Sequence, residues 1–146
     1  MKIVILGCGR MGSIMARRLS AEGHSISVID QDADAFRRLE NFNGKMVLGN
    51  GLDPDVLIRA GIEDADAFVA VTNGDNRNIT SVQIAKEIFS VPKVLARIYD
   101  PMRAAAYDEL GIPTMCTTVI GAGLMADYLL DKQWGDISNY CDMPVD

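Results

Sequence analysis

Short apolar runs alternate with amphipathic stretches along almost the whole chain. The runs are Lys2–Leu6, 25–29, Lys45–Leu48, 67–71 and Lys93–Ile98, rich in Val and Ile and too short for helices. Between them apolar residues fall at helical spacing, as Met15 and Leu19 within 11–22, and Ile79, Val82, Ile84 and Ile88 within 75–89. Continuous apolar strands separated by helices predict a parallel sheet covered on both faces. Asp53-Pro54 and Asp100-Pro101 each put a capping carboxylate before a proline suited to the first helical turn. Gly61-Ile62 and Gly111-Ile112 supply left-handed helix stops and a return to extended chain. The pattern predicts a β-α unit repeated five times, a short strand near 113–115 and a helix over about 117–130. This is a doubly wound α/β Rossmann fold with a six-stranded parallel sheet, in one domain over 1–130, followed by a short acidic tail over 131–146 with no second lobe.

The chain has 146 residues and a net charge of −6, and it is 49% hydrophobic and 23% charged, as an ordinary globular domain is. An acidic chain without a basic patch is a poor ligand for nucleic acid. No apolar run approaches the ~18 residues of a membrane span, and no basic leader with an apolar core opens the chain. Cys8, Cys116 and Cys141 are odd in number and lack metal-site spacing, so reduced thiols and a cytoplasmic setting are expected.

The chemistry concentrates at Gly7-Cys8-Gly9-Arg10-Met11-Gly12, which follows the first strand and opens the first helix. Gly7 serves the tight turn, Gly9 lets a diphosphate approach the backbone, and Gly12 allows close helix–strand packing. The helix start favours the anion and is expected to lower the Cys8 thiol pKa. Asp30 ends the second strand roughly 20 residues on, where a carboxylate binds ribose hydroxyls. It repels a 2′-phosphate, and Gln31 and Asp32 bring no arginine, so the predicted ligand is NAD/NADH or ATP/ADP and not NADP.

Other positions have two readings each. Asn50 either pairs with an adenine edge or caps its own loop. Thr72, Asn73 and Asp75 either meet the distal half of a ligand or make a turn and helix cap. Arg97, a cation on an otherwise apolar strand, meets either a phosphate or a structural carboxylate. His24 reads as a surface turn residue. Val119, Ile120, Leu124, Met125, Tyr128, Leu129 and Trp134 read as packing material, on this chain or on a second subunit.

Several further segments carry a family resemblance. Gly49-Asn50-Gly51-Leu52-Asp53-Pro54 resembles a G-(D/N)-(A/G)-T-D-P segment, with Leu52 where Thr is frequent. The segment from Ala60 to Ala67 leading to Thr72, together with Asp75, Asn78, the stretch Val94-Leu95-Ala96-Arg97-Ile98 and Leu110-Gly111-Ile112-Pro113, continues the match over about 1–130. Together these resemble the RCK domain, also called KTN or TrkA-N, the nucleotide-binding regulator of bacterial potassium uptake systems and channels. The resemblance implies ligand contacts from Gly7 to Gly12 and at Asp30, Gln31, Asn50, Gly51, Leu52, Thr72, Asn73, Asp75, Asn78 and Arg97. It implies no catalysis, a homodimer or higher oligomer through the 117–130 helix, and a membrane potassium transporter or channel as partner. It places the chain in the cytoplasm at the inner membrane, held there through the transporter and not inserted. The alternative is an NAD(H)-binding fragment of an oxidoreductase without its substrate domain; a scaffold with a vestigial pocket is the third reading.

Overall fold

β1 (Lys2–Leu6) is the innermost element of the chain, because Ile3, Val4, Ile5 and Leu6 are all buried. Strands of this kind need neighbours on both edges and helices on both faces. The computed structural model describes residues 1–141. β1 pairs in parallel with β2 (Ser25–Asp30) on one side and with β4 (Ala67–Ala70) on the other. β3 (Lys45–Leu48) adds to β2, and β5 (Lys93–Ile98) adds to β4. With β6 (Thr114–Cys116), the sheet order is β3-β2-β1-β4-β5-β6, a six-stranded doubly wound sheet of the kind the alternating pattern predicts. Burying a Val or Ile side chain is worth about 1.5–3 kcal/mol, so the β1–β2–β4 centre is the stabilising heart of the sheet.

Helices α1 (Arg10–Ala21), α2 (Pro54–Arg59), α3 (Asp75–Glu87), α4 (Pro101–Glu109) and α5 (Thr117–Leu129) connect or follow the strands. The predicted caps form: Asp53 accepts from the Asp55 N–H at 2.9 Å, and Asp100 accepts from the Met102 N–H at 3.0 Å. Gly61 and Gly111 take φ of +88° and +72°, the left-handed stops expected of them. The second connection differs from the repeated β-α pattern. It is a 3₁₀ helix, Ala33–Leu39, started by Asp32 and held open at its far end by Arg17, whose guanidinium donates to Arg38 O and Glu40 O. Carbonyls turned out toward Arg17 are not available to prolong the helix.

The chain divides into two compact units, Met1–Ala96 and a second beginning at Arg97. In the second, α5 buries only Val119 and Gly123, so the apolar stripe predicted there is largely uncovered. Met125, Tyr128 and Leu129 are each more than 70% exposed, and Trp134 is 66% exposed. Beyond α5 the chain folds back rather than trailing away. Trp134 donates through Nε1 to Leu124 O at 3.1 Å, and the Tyr140 hydroxyl donates to Asp127 at 2.7 Å. Tyr140 is buried in α6 (Ser138–Cys141), so the end of the described part of the predicted tail is a short helix packed on α5. Residues 142–146 lie outside the described residues. Among the described residues no helix is long and apolar enough to cross a membrane.

Candidate nucleotide site

β1 delivers the chain directly into the glycine loop, and the three glycines have separable reasons for being there. Gly7 adopts φ of +107°, which an L side chain rarely adopts. A Cβ on it would lie 3.1 Å from the Thr72 nitrogen. A Cβ on Gly12 would lie 1.8 Å from Gly7 O, so α1 and the loop touch backbone to backbone. Gly9 is different. It is extended (φ −73°), it is the N-cap of α1 without a capping side chain, and a Cβ there would meet nothing within 4 Å. The protein's own packing therefore asks for Gly7 and Gly12 but not for Gly9, which leaves bare backbone facing open space.

Asp30, at the end of β2, closes the loop from the other side. One carboxylate oxygen accepts from the Cys8 N–H at 2.7 Å and the other from the Asp32 N–H at 2.9 Å. Each carboxylate oxygen has lone pairs for a further donor, so the residue is oriented without being saturated. Gln31 beside it is exposed. Cys8 is fully buried and its thiol donates to Ala35 O at 3.4 Å. Burial, followed by the nearby Asp30 charge, raises the thiol pKa from 9.0 to about 11. This reverses the lowered pKa expected from the helix start: desolvation of a thiolate outweighs the favourable helix end.

The loop after β3 brings Gly51 against Leu6, whose Cδ1 would lie 2.3 Å from a Cβ at that position. Asn50 is exposed, and its side-chain oxygen accepts from the Leu52 N–H at 3.0 Å, as a loop cap does. Leu52 is half-buried. In the loop after β4, Asn78 is fully buried and bound to Thr72 at three points. Its oxygen accepts from the Thr72 N–H at 3.0 Å and the hydroxyl at 2.6 Å, and its amide donates to Thr72 O at 3.0 Å. Asn78 thus shapes the loop from inside. Thr72 in turn accepts from the Gly74 N–H at 3.2 Å, while Asn73 is exposed and Asp75 half-buried at the start of α3. Arg97 belongs to the second unit, where its guanidinium lies 4.4 Å from the centroid of the Tyr99 ring.

β1 and β4 are neighbours whose connections leave in opposite directions, toward β2 and toward β5. In open α/β sheets, ligands bind at the carboxyl ends of the strands at such a switch point. The two helices that start there, α1 and α3, have glycine N-caps and no capping side chain, as α5 also has none, whereas α2, α4 and the 3₁₀ helix Ala33–Leu39 are each capped by an aspartate. Exposed helix-start N–H groups are anion-binding groups. The sequence pattern does not single out Ala35, which covers Cys8, or Arg77, in the first turn of α3. For Arg77 a signal exists: it follows Gly74 at the same offset as Arg103 follows Asp100. Among the described residues, no group of three or more His, Cys, Asp or Glu is placed to hold a metal.

Known proteins share both the sequence and the geometry. The TrkA-N domain model matches residues 3–128. A Trk system potassium uptake protein TrkA of Streptomyces coelicolor is 52% identical over 131 residues, 89% of this chain and 59% of that protein. The chain thus spans a little over half of that relative's length. Among solved structures, the Kef CTD of Shewanella denitrificans in its AMP-bound form has a TM-score of 0.75 at 25% identity, over 96% of this chain and 86% of that one. The TrkA-N domain of the Escherichia coli inner membrane protein ybaL has a TM-score of 0.78 at 21% identity, over 88% and 96% of the two chains. The chain belongs to the TrkA-N domain family.

Proposed function

We propose that the chain is a nucleotide-sensing regulatory module of a membrane potassium transporter or channel, without catalytic activity of its own. The observation that carries the reading is the pairing of Asp30 with the glycine loop. A carboxylate oriented by two backbone N–H groups stands beside the bare backbone of Gly9 at the sheet's switch point. The ligand is an adenine nucleotide with free ribose hydroxyls, ATP/ADP or NAD/NADH, bound through Gly7–Gly12 and Asp30 with Gln31, Asn50, Gly51, Leu52, Thr72, Asn73, Asp75 and Asn78 forming or shaping the rest. The AMP held by the Kef relative supports the adenine class, and the name of the Streptomyces relative supports potassium uptake as the process.

A sensor acts by binding two conformations of an assembly unequally. The surface suited to pass the signal on is α5, where Leu124, Met125, Tyr128, Leu129 and Trp134 line an apolar hollow of about 340 Å³. Apolar area of this kind left exposed on a helix is what a homodimer buries. The protein then works in the cytoplasm, held at the inner membrane by its transporter.

Thermal unfolding with AMP, ADP, ATP, NAD, NADH and NADPH tests the reading. Ligand at 100 times its Kd stabilises by ~2.7 kcal/mol, several degrees at this chain length. All but NADPH are expected to stabilise, to different degrees, and Asp30→Ala is expected to lose most of the response. Sedimentation with and without the best ligand is expected to show a changed oligomer. No response to any nucleotide defeats the proposal, and the greatest stabilisation by NADPH defeats the role given to Asp30.

A further inference from the structure

Two of the three thiols face one cavity. In the second unit, α4, β6, the start of α5 and the end of α6 border a space of about 460 Å³, and both Cys116 and Cys141 line it. Cys116 is half-buried at the N-cap of α5, and Cys141 is exposed at the end of α6. Both are free thiols with weak contacts only: Cys116 donates to Tyr99 O at 3.7 Å and Cys141 to Ile137 O at 3.6 Å. Cys8 stands apart, sealed in the first unit with its pKa raised to about 11.

The course of the chain brings the two accessible thiols to the same place. The tail after α5 turns back along that helix, with Trp134 bonded to Leu124 O and Tyr140 to Asp127. Cys141 thereby returns to a cavity that is also lined by Val119 and Ile120, within about one turn of Cys116. A disulfide requires the two Cα atoms within about 7 Å of each other. α6 is only 4 residues long and buries Tyr140 alone, so a shift of this segment across the cavity disturbs little packing. The walls also select the oxidant. Asp108 and Glu109 line the cavity, and among the described residues that line it there is no Lys, Arg or His. Carboxylates repel anionic oxidants, whereas an uncharged hydroperoxide enters unopposed.

We propose that Cys116 and Cys141 form a redox modification site, in which a hydroperoxide converts the two thiols into an intramolecular disulfide that locks the tail onto the start of α5. Cys141, the more exposed, reacts first. Its sulfur attacks one peroxide oxygen, the O–O bond breaks, and a sulfenic acid and one water (for hydrogen peroxide) result. The Cys116 sulfur then attacks the Cys141 sulfur; the S–S bond forms, the S–O bond breaks and a second water leaves. The two thiols give up two electrons and two protons, and the peroxide is reduced. The link closes a loop of roughly 25 residues that contains all of α5, which raises stability.

Dilute reduced protein treated with hydrogen peroxide, then digested without reductant and mapped by mass spectrometry, tests this in wild type, Cys116→Ser and Cys141→Ser. In the wild type the expected product is one Cys116–Cys141 peptide pair within a monomer, with Cys8 still a free thiol. Its Tm is expected to rise by several degrees and to return on adding dithiothreitol. Cys116→Ser is expected to stop at a sulfenic acid on Cys141, trapped by dimedone, and neither serine variant to show the peroxide-dependent rise in Tm. Before oxidation both variants are expected to melt close to wild type, so the comparison does not turn on misfolding. Sulfinic acids without a link, disulfides only between chains, or thiols left unreacted would each overturn the site. A link formed with no rise in Tm would overturn the locking of the tail.

Discussion

Replacing Gly12 and Gly9 by alanine, one at a time, separates what the glycine loop does for the fold from what it does for a ligand. At Gly12 the new methyl would sit 1.8 Å from Gly7 O and 2.9 Å from Gly7 C, against a floor of 3.0 Å for real Cβ contacts. Both sides of that contact are backbone, so no side chain can swing away. The first turn of α1 must move off the loop by about an ångström or more, in an interior packed to crystal-like density. Overpacking of this severity costs about 3 kcal/mol or more. At this chain length that is a Tm lowered by roughly 6–12 °C. At Gly9 the methyl meets nothing within 4 Å and φ is already −73°. The loss of a glycine N-cap and the lower chain entropy of alanine nearly cancel, leaving stability within about 0.5 kcal/mol of wild type. On the proposed nucleotide reading the Gly9 methyl stands where the diphosphate would approach the backbone, so nucleotide affinity is expected to fall by about tenfold or more, which is ~1.4 kcal/mol. Differential scanning calorimetry of the ligand-free proteins, followed by nucleotide titration of each, reads both effects. A Gly12→Ala Tm within 2 °C of wild type, on the scale used above, would refute the packing argument. A Gly9→Ala protein that binds nucleotide as wild type does would refute the cradle.

Asn78→Ala removes three hydrogen bonds to Thr72 from a fully buried side chain. It is expected to cost about 2–3 kcal/mol in urea unfolding, with weaker nucleotide binding because the loop beside Gly7 loses its support. Cys8 is expected to resist alkylation in the native protein at pH 8, while the exposed Cys141 and half-buried Cys116 react; mass spectrometry counts the labels. The same thiol sets a pH dependence. Its pKa rises on folding from 9.0 to about 11, so between these values the native state holds a proton that the unfolded chain has released. Stability from this group is therefore full below pH 9 and declines as pH rises toward 11, and Cys8→Ala is expected to remove that part of the decline.

The fold is legible in the sequence to the extent that its rules are local. Asp53-Pro54 and Asp100-Pro101 announce helix starts because the cap bonds the N–H two residues on. Gly61 and Gly111 announce helix ends because their φ values belong to glycine. The 3₁₀ connection after β2 is not legible in the same way, since its far end is set by Arg17, a residue of α1. The Cys8 thiol fails for a similar reason. Its position in the loop suggests a lowered pKa, but Ala35, 27 residues away, covers it and desolvation prevails. On α5 the apolar positions are readable, while their exposure is not, because a pattern of Leu, Met and Tyr says that a face is to be buried without saying by what.

The candidate site follows a further logic. Gly7, Gly12, Gly51 and Asn78 satisfy ordinary packing and hydrogen-bonding demands and have a complete account within the chain. Gly9 has no steric reason to lack a side chain, and Arg10 and Arg77 stand at helix ends that repel them. A chain selected for stability alone would put an aspartate at each of those helix starts, as it does at α2 and α4. Three such departures gathered on two touching loops point to a missing participant, and all three favour an anion.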